Sequence, residues 1–137
     1  MTYNPLHDSF RRAVRRIVVV NQMYGRELTR DRLREEALAK TPEAFYVSYD
    51  RASQVIGPLL GKDYKGPVGT PRRQFWLDMA AMVREQMEAP KCLTFPKALS
   101  FVLNFRAPTR YYLSRRTADR LIAQEVVMKT IIIPKKQ

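Results

Sequence analysis

Apolar residues recur along the chain at helical spacing, which predicts a mainly α-helical fold of five or six helices. In the first segment, apolar positions from Phe10 to Ile17 fall on one face of a helix. Asp8 or Ser9 is the predicted N-cap of this helix, and Gly25 its predicted stop. The IVVV run inside the segment leaves a strand as a lesser alternative.

The later helices are bounded by capping residues and prolines. The predicted helices are a charged, exposed one from Thr29 to before Pro42, one from Tyr49 to about Leu60, one from Pro71 to before Pro90, a shorter one ending at Phe105, and one from Arg115 to about Val127. The helix that contains Phe75 and Met87 has the broadest apolar face, so it is the predicted central core helix.

Two fifteen-residue stretches, 42–56 and 108–122, follow one pattern, P-x-x-[FY]-Y-[VL]-S-x-x-x-A-x-x-[VL]-I, with five identical positions. The pattern indicates an internal repeat and therefore a duplicated helical unit. In each copy the aromatic-aliphatic triplet, FYV or YYL, is β-prone and is predicted to be a short extended segment. A further extended tail is predicted for 130–133.

The stretch 61–71 holds three glycines and two prolines and is the clearest break in the chain. It divides an N-terminal helical half, residues 1–60, from a C-terminal basic half, residues 72–137. With 137 residues, the two halves are expected to form a single compact domain.

The formal net charge is +12, and eight of these charges come from the segment that begins at Lys91. Arginine outnumbers lysine by 17 to 8, and the guanidinium fork suits phosphate and guanine. This excess favours a polyanionic partner, of which nucleic acid is the first candidate. A solvated basic surface without a specific ligand is the alternative.

The stretch LSRRTADRLI resembles the recognition helix of helix-turn-helix DNA-binding proteins. The resemblance implies that Ser114 caps the helix at the groove and that Arg115, Arg116 and Arg120 reach guanine or phosphate. It also implies that Thr117 contacts a thymine methyl group or a phosphate. It covers about ten residues.

The chain departs from that family immediately before the helix, where Pro108 stands in place of a preceding helix and no glycine marks a turn. The same aromatic-aliphatic-serine pattern occurs at 45–48 without arginines. The alternative is therefore that the motif has a structural role, as the connection within the repeat, and does not bind DNA. A third possibility is that Tyr111 and Tyr112, beside Arg110, stack on unpaired bases.

Further basic residues are candidates for phosphate contact. They are Arg110 before the last helix, Arg11, Arg12, Arg15 and Arg16 on a stripe of the first helix, and Lys135 and Lys136 at the C-terminal tip. A solvated outer face is an equally good interpretation of the stripe.

The residues for enzyme chemistry are scarce, because the chain has one histidine, His7, and one cysteine, Cys92. We therefore expect no enzyme, no cofactor and no metal site. No membrane span, signal peptide or disulfide is expected, which favours the cytoplasm.

Together these features predict a non-enzymatic nucleic-acid-binding protein, preferably a small regulator that binds duplex DNA. The alternative is an assembly subunit whose basic surface meets an acidic partner. A homo-oligomer or another protein partner is compatible with both.

Overall fold

A computed structural model describes residues 4–60 and 69–128, and these residues form six helices with no strand. The helices are α1 (Pro5–Met23), α2 (Arg30–Leu38), α3 (Tyr49–Leu60), α4 (Pro71–Met87), α5 (Phe95–Phe105) and α6 (Arg115–Met128). The mainly α-helical class is confirmed. No helix within the described ranges has both the length and the apolar character needed to cross a membrane.

The first helix starts a turn earlier than predicted. Asn4 is its N-cap, and the Asn4 Oδ1 accepts a hydrogen bond of 3.2 Å from the His7 backbone N–H. Pro5 occupies the first helical position, where its missing N–H costs nothing. His7 therefore lies in the first turn of α1. The predicted stop is confirmed, since Gly25 follows the helix with a φ of 65°.

Four predicted helix starts are confirmed by hydroxyl caps. The capping bonds run from Arg32 N–H to Thr29, from Arg51 N–H to Ser48, from Arg73 N–H to Thr70 and from Thr117 N–H to Ser114, at 3.1–3.2 Å. Each hydroxyl satisfies a backbone donor that the first helical turn leaves unpaired. Capping residues are local signals, which explains why the sequence locates these ends.

The helices pack as two bundles. In the α1–α2–α6 bundle, each helix contacts the other two, and the same is true of the α3–α4–α5 bundle. Among the described residues no helix of one bundle packs on a helix of the other. The first core is built on Phe10, Leu33 and Leu121, and the second on Ile56, Met79 and Leu99. The helix α4 is thus central to one bundle only.

The charged helix α2 is more than an exposed surface helix. It buries Leu33, Ala37 and Leu38 in the core of the α1–α2–α6 bundle, and it buries the charged Arg34 as well. The correction follows from spacing, because positions 33, 37 and 38 form a narrow apolar stripe on an otherwise charged helix.

The FYV and YYL segments contain no strand, so the prediction of short extended elements is wrong. Phe45 and Tyr111 instead insert their rings into the two cores, where they are 5% and 1% exposed. The Tyr111 N–H donates to the Leu38 carbonyl at 3.1 Å, a single bond to the end of a helix. Aromatic residues are common in strands and are also common where a connection is anchored in a core, so residue type alone does not distinguish the two. The predicted tail at 130–133 lies outside the described residues.

Two polar clusters join the bundles where the chain crosses between them. Glu43 accepts hydrogen bonds from Arg12 on α1 and from the Tyr46 hydroxyl, at 2.5 and 2.8 Å. On the return crossing, Asp78 on α4 accepts from the Thr109 N–H at 2.9 Å and from the Tyr112 hydroxyl at 3.2 Å.

Candidate nucleic-acid interface

The helix α6 has a buried face and a basic face. Ala118, Leu121 and Ile122 are at most 1% exposed and pack against α1 and α2. Arg115, Arg116 and Arg120 are exposed on the remaining surface. No hydrogen bond or ion pair to another described residue engages their guanidinium groups. The first two turns of α6 therefore carry three guanidinium groups that no described residue neutralises.

The two hydroxyl residues at the start of α6 serve the helix itself. The Ser114 Oγ caps the Thr117 N–H and lies 2.9 Å from the Thr117 Oγ1. Both side chains are thereby engaged in the cap, so their first role in the described geometry is to fix the helix end. The cap therefore fixes the start of the helix on which Arg115, Arg116 and Arg120 lie.

A buried arginine fixes the position of α6 relative to α2. The side chain of Arg34 is 8% exposed, and its Nη1 lies 3.0 Å from the Asp31 Oδ1 and 3.1 Å from the Asp119 Oδ1 on α6. Its Nε also donates to Glu35 at 3.2 Å. Burial opposes the charge of Arg34, but the bonds to Asp119 and Glu35 outweigh it and raise its pKa.

Three arginines of the α1 stripe are engaged within the fold. Arg15 donates to the buried Glu125 of α6 at 2.8 Å, and Arg11 donates to the Gln124 amide oxygen while its Nε lies 3.9 Å from Glu125. Arg12 binds Glu43. Sequence spacing predicted a basic stripe, but apart from Asp8, which lies 3.9 Å from Arg11, the carboxylates that neutralise it lie more than thirty residues away in sequence. Only the structure brings them together.

The other predicted basic residues that the structure describes are dispersed. Arg16 is exposed on the side of α1 that faces away from α6. The Arg110 guanidinium lies over the Tyr112 ring, 5.6 Å from its centroid. Lys135 and Lys136 lie outside the described residues. Among the described basic candidates, Arg115, Arg116 and Arg120 thus lie together on α6, whereas Arg16 and Arg110 lie on other parts of the chain.

A contiguous helix-turn-helix is missing from the described chain. The helix before α6 is α5, and the two helices do not contact each other. Residues 106–114 separate them, and α6 packs instead on α1 and α2. Pro108, which is buried, occupies this connection and keeps a helix from running into α6.

Base stacking by the tyrosine pair is excluded for Tyr111, because its ring is buried edge-to-face against Phe10 at a centroid distance of 5.4 Å. Tyr112 is half-buried, with its ring edge-to-face against Phe75. Burial and the neighbouring Asp78 raise the pKa of Tyr112.

Sequence reasoning missed that His7 adjoins the basic face. Burial lowers the pKa of His7 below its ordinary value, and the positive charges of Arg120 and Arg11 lower it further, while Asp8 opposes them. The signal that could have found it is the Asn-Pro pair at 4–5, which is typical of a helix start. The only histidine of the chain thus lies near enough to Arg120 for that charge to affect its pKa.

Comparison of the chain with protein-family models, curated proteins and solved structures found no match. Among residues 4–60 and 69–128, no group of three His, Cys, Asp or Glu side chains is arranged to hold a metal ion.

Proposed function

We propose that the protein binds nucleic acid, preferably duplex DNA, through Arg115, Arg116 and Arg120 at the start of α6. The observation that carries the proposal is the contrast between these three side chains and the arginines of α1. Arg11, Arg12 and Arg15 are neutralised by contacts within the fold, whereas the α6 arginines are exposed and form no ion pair with residues 4–60 or 69–128.

Phosphate contact is the first role of these arginines. Each guanidinium offers several N–H donors in a fork that fits a phosphate, and each contact releases a condensed counterion from DNA. A single helix with a free basic face is also the element that fits the major groove of a duplex. Without a paired preceding helix, orientation on the duplex would come from the α1–α2–α6 bundle. A regulatory role in DNA transactions follows from this as an expectation.

The test compares two variants that lose the same charge. The first replaces Arg115, Arg116 and Arg120 with Ala. The second replaces Arg72, Lys91 and Lys97 with Ala, three exposed cations outside the α1–α2–α6 bundle. Fluorescence anisotropy would measure binding of labelled duplex DNA, single-stranded DNA and RNA at several salt concentrations. We expect the first variant to lose at least about tenfold in duplex affinity and the second to lose far less.

The salt dependence adds a second readout. Loss of three phosphate contacts should reduce the slope of log K against log salt by roughly 2 to 3. Equal losses in both variants would mean that affinity follows net charge alone, and the proposed site would be wrong. Binding that is equal for all three nucleic acids and confined to low salt would contradict the preference for duplex DNA.

We also propose that the chain consists of a duplicated helical unit with an offset of 66 residues. In support, α1 and α4 begin 66 residues apart, and so do α3 and α6. The polar clusters at the two crossings obey the same offset. Their equivalent positions are Arg12 and Asp78, Glu43 and Thr109, and Tyr46 and Tyr112.

Under this proposal the two units have exchanged their last helices. The helices α1 and α2 pack with α6 of the second unit, and α4 and α5 pack with α3 of the first. The two copies differ in charge, because the positions of α3 that correspond to Arg115, Arg116 and Arg120 are Tyr49, Asp50 and Gln54.

Protein association is the second candidate function, and an exposed apolar patch favours it. Val19, Val20, Met23 and Tyr24 at the end of α1 are 44–74% exposed. Such a patch is typical of interaction surfaces. A Met23→Glu variant should then lose self-association or partner binding, measured by light scattering after size-exclusion chromatography, and keep its DNA affinity. A monomer in both the parent protein and the variant would contradict self-association.

A further inference from the structure

A groove of about 340 Å³ lies between α1 and α2, on the side of α1 that faces away from α6. On α1, Arg11 and Arg15 face Glu125 of α6, whereas Ala13, Ile17 and Val20 line the groove. The groove is therefore separate from the basic face of α6. Its size is within the range of small-molecule sites.

The rim of the groove is positive. Arg16, Arg26 and Lys40 line it, and all three are exposed. No carboxylate pairs with them among the described residues. The one carboxylate in the lining, Glu36, is already bonded to Arg32 at 3.1 Å. Three cations thus line one cavity, and among the described residues none of them forms an ion pair, although Glu43 lies near enough to Arg16 to feel its charge.

The floor of the groove is apolar. Ala13 and Ile17 form its buried part, and Val20 contributes a side chain that is 44% exposed. At one end, the Arg26 N–H donates to the Asn21 carbonyl at 2.9 Å, and the Arg26 guanidinium lies 4.9 Å from the centre of the Tyr24 ring. Lys40, just past the end of α2, also lines the groove.

Asn21 adds a polar group beside this floor. Its side-chain amide donates to the Ile17 carbonyl at 2.8 Å, and its Oδ1 accepts no hydrogen bond from the described residues. That oxygen is available to a donor on a ligand. An apolar floor with a few convergent polar groups is the ordinary form of a small-molecule site.

We propose that this groove binds a small phosphorylated molecule with a flat, apolar body, the chemistry of a nucleoside monophosphate. Arg16 and Lys40 bind the phosphate, the flat body covers Ile17 and Val20, and Asn21 accepts a hydrogen bond from the body. The pairing of phosphate with cations supplies orientation, and the floor supplies affinity.

The test uses adenosine monophosphate as the probe, with adenosine and inorganic phosphate as partial probes. Titration of the ¹⁵N-labelled protein, followed by amide chemical shifts, should show saturable changes confined to α1, α2 and the residues between them. The double variant Arg16→Ala, Lys40→Ala should weaken binding about tenfold or more. The matched control Arg72→Ala, Lys91→Ala, which loses the same charge at two exposed cations outside both proposed sites, should bind the probe as the parent protein does.

Three results would overturn the site. Equal weakening by the two double variants would mean a general effect of charge. Chemical-shift changes that do not saturate and that occur near all exposed Lys and Arg residues would mean that the probe does not occupy the groove. Inorganic phosphate binding as tightly as adenosine monophosphate would mean that the apolar floor contributes nothing. None of these results depends on whether α6 binds DNA, since the two surfaces carry different residues.

Discussion

Tyr111 and Ser9 form a buried hydroxyl pair between the connection to α6 and the first helix. Tyr111 is 1% exposed and Ser9 is fully buried. A Tyr111→Phe variant keeps the ring packing and removes the bond, so we expect the free energy of unfolding to fall by about 1–2 kcal/mol. Urea denaturation checks this, with Tyr24→Phe as the control because Tyr24 is 68% exposed. An unchanged stability in Tyr111→Phe would show that the hydroxyl pair contributes nothing.

The pKa of His7 gives a second residue-scale prediction. Because burial and the positive charges of Arg120 and Arg11 hold this pKa below its ordinary value of 6.5, the unfolded chain takes up the proton first as pH falls. Protonation thus favours unfolding, and this contribution to stability, present above pH 6.5, declines as pH drops through that value. Chemical denaturation from about pH 8 down to about pH 5 should show the decline, which begins near the unfolded pKa and continues through the lower folded pKa. A His7→Gln variant should show less of it, and an identical decline would contradict the assignment.

Which arginines are free could not be predicted from the sequence. Arg15 and Arg115 look alike as cations on amphipathic helices, yet Arg15 is neutralised by Glu125, which lies 110 residues later in the chain. Local capping by Ser114 was predictable because donor and acceptor lie three residues apart. Long-range ion pairs depend on packing, which the local pattern does not encode.

At the scale of elements, helix bounds were largely predictable and helix partners were not. The helices α3 and α6 begin at capping serines that the sequence marks clearly. However, α6 packs on helices about eighty or more residues earlier, whereas the nearest helix in sequence, α5, belongs to the other bundle. The prediction of strands at FYV and YYL was wrong for a similar reason. Aromatic and β-branched residues are favoured in strands, and they are also favoured where a connection buries a side chain in the core.

A graft onto α3 tests the proposed equivalence of α3 and α6. The variant carries Tyr49→Arg, Asp50→Arg and Gln54→Arg, at exposed positions that correspond to the α6 arginines. We expect the fold to persist, because the changes are on the surface. The free energy of unfolding should fall by no more than about 1–2 kcal/mol, since the variant loses the carboxylate of Asp50 near the N-terminus of α3. Duplex DNA affinity should rise, measured by anisotropy.

The control for this graft adds the same charge elsewhere, with Glu88→Arg, Ser100→Arg and Asn104→Arg, all at exposed positions. An equal rise in affinity for both variants would attribute the gain to net charge. Unfolding of the α3 variant would contradict the equivalence of the two helices.

At the scale of the whole molecule, two small helical bundles share one chain that crosses between them twice. Each bundle alone has a modest core, so we expect the two to unfold together. Trp76, the only tryptophan, lies in the core of the α3–α4–α5 bundle and reports on it by fluorescence. The Tyr111→Phe change lies in the other core, yet it should lower the Trp76 unfolding midpoint. An unshifted Trp76 midpoint would show that the bundles unfold independently.

The most direct test of the proposed nucleic-acid site is the pKa of His7 measured by NMR with and without duplex DNA. The chain has one histidine, so its ring signals can be assigned without ambiguity. A phosphate at Arg120 would offset the positive charge that now lowers the pKa, so the pKa should rise on binding. Replacement of Arg120 by Ala should raise it in the free protein as well. A saturated complex in which the His7 pKa is unchanged would contradict binding at this face of α6.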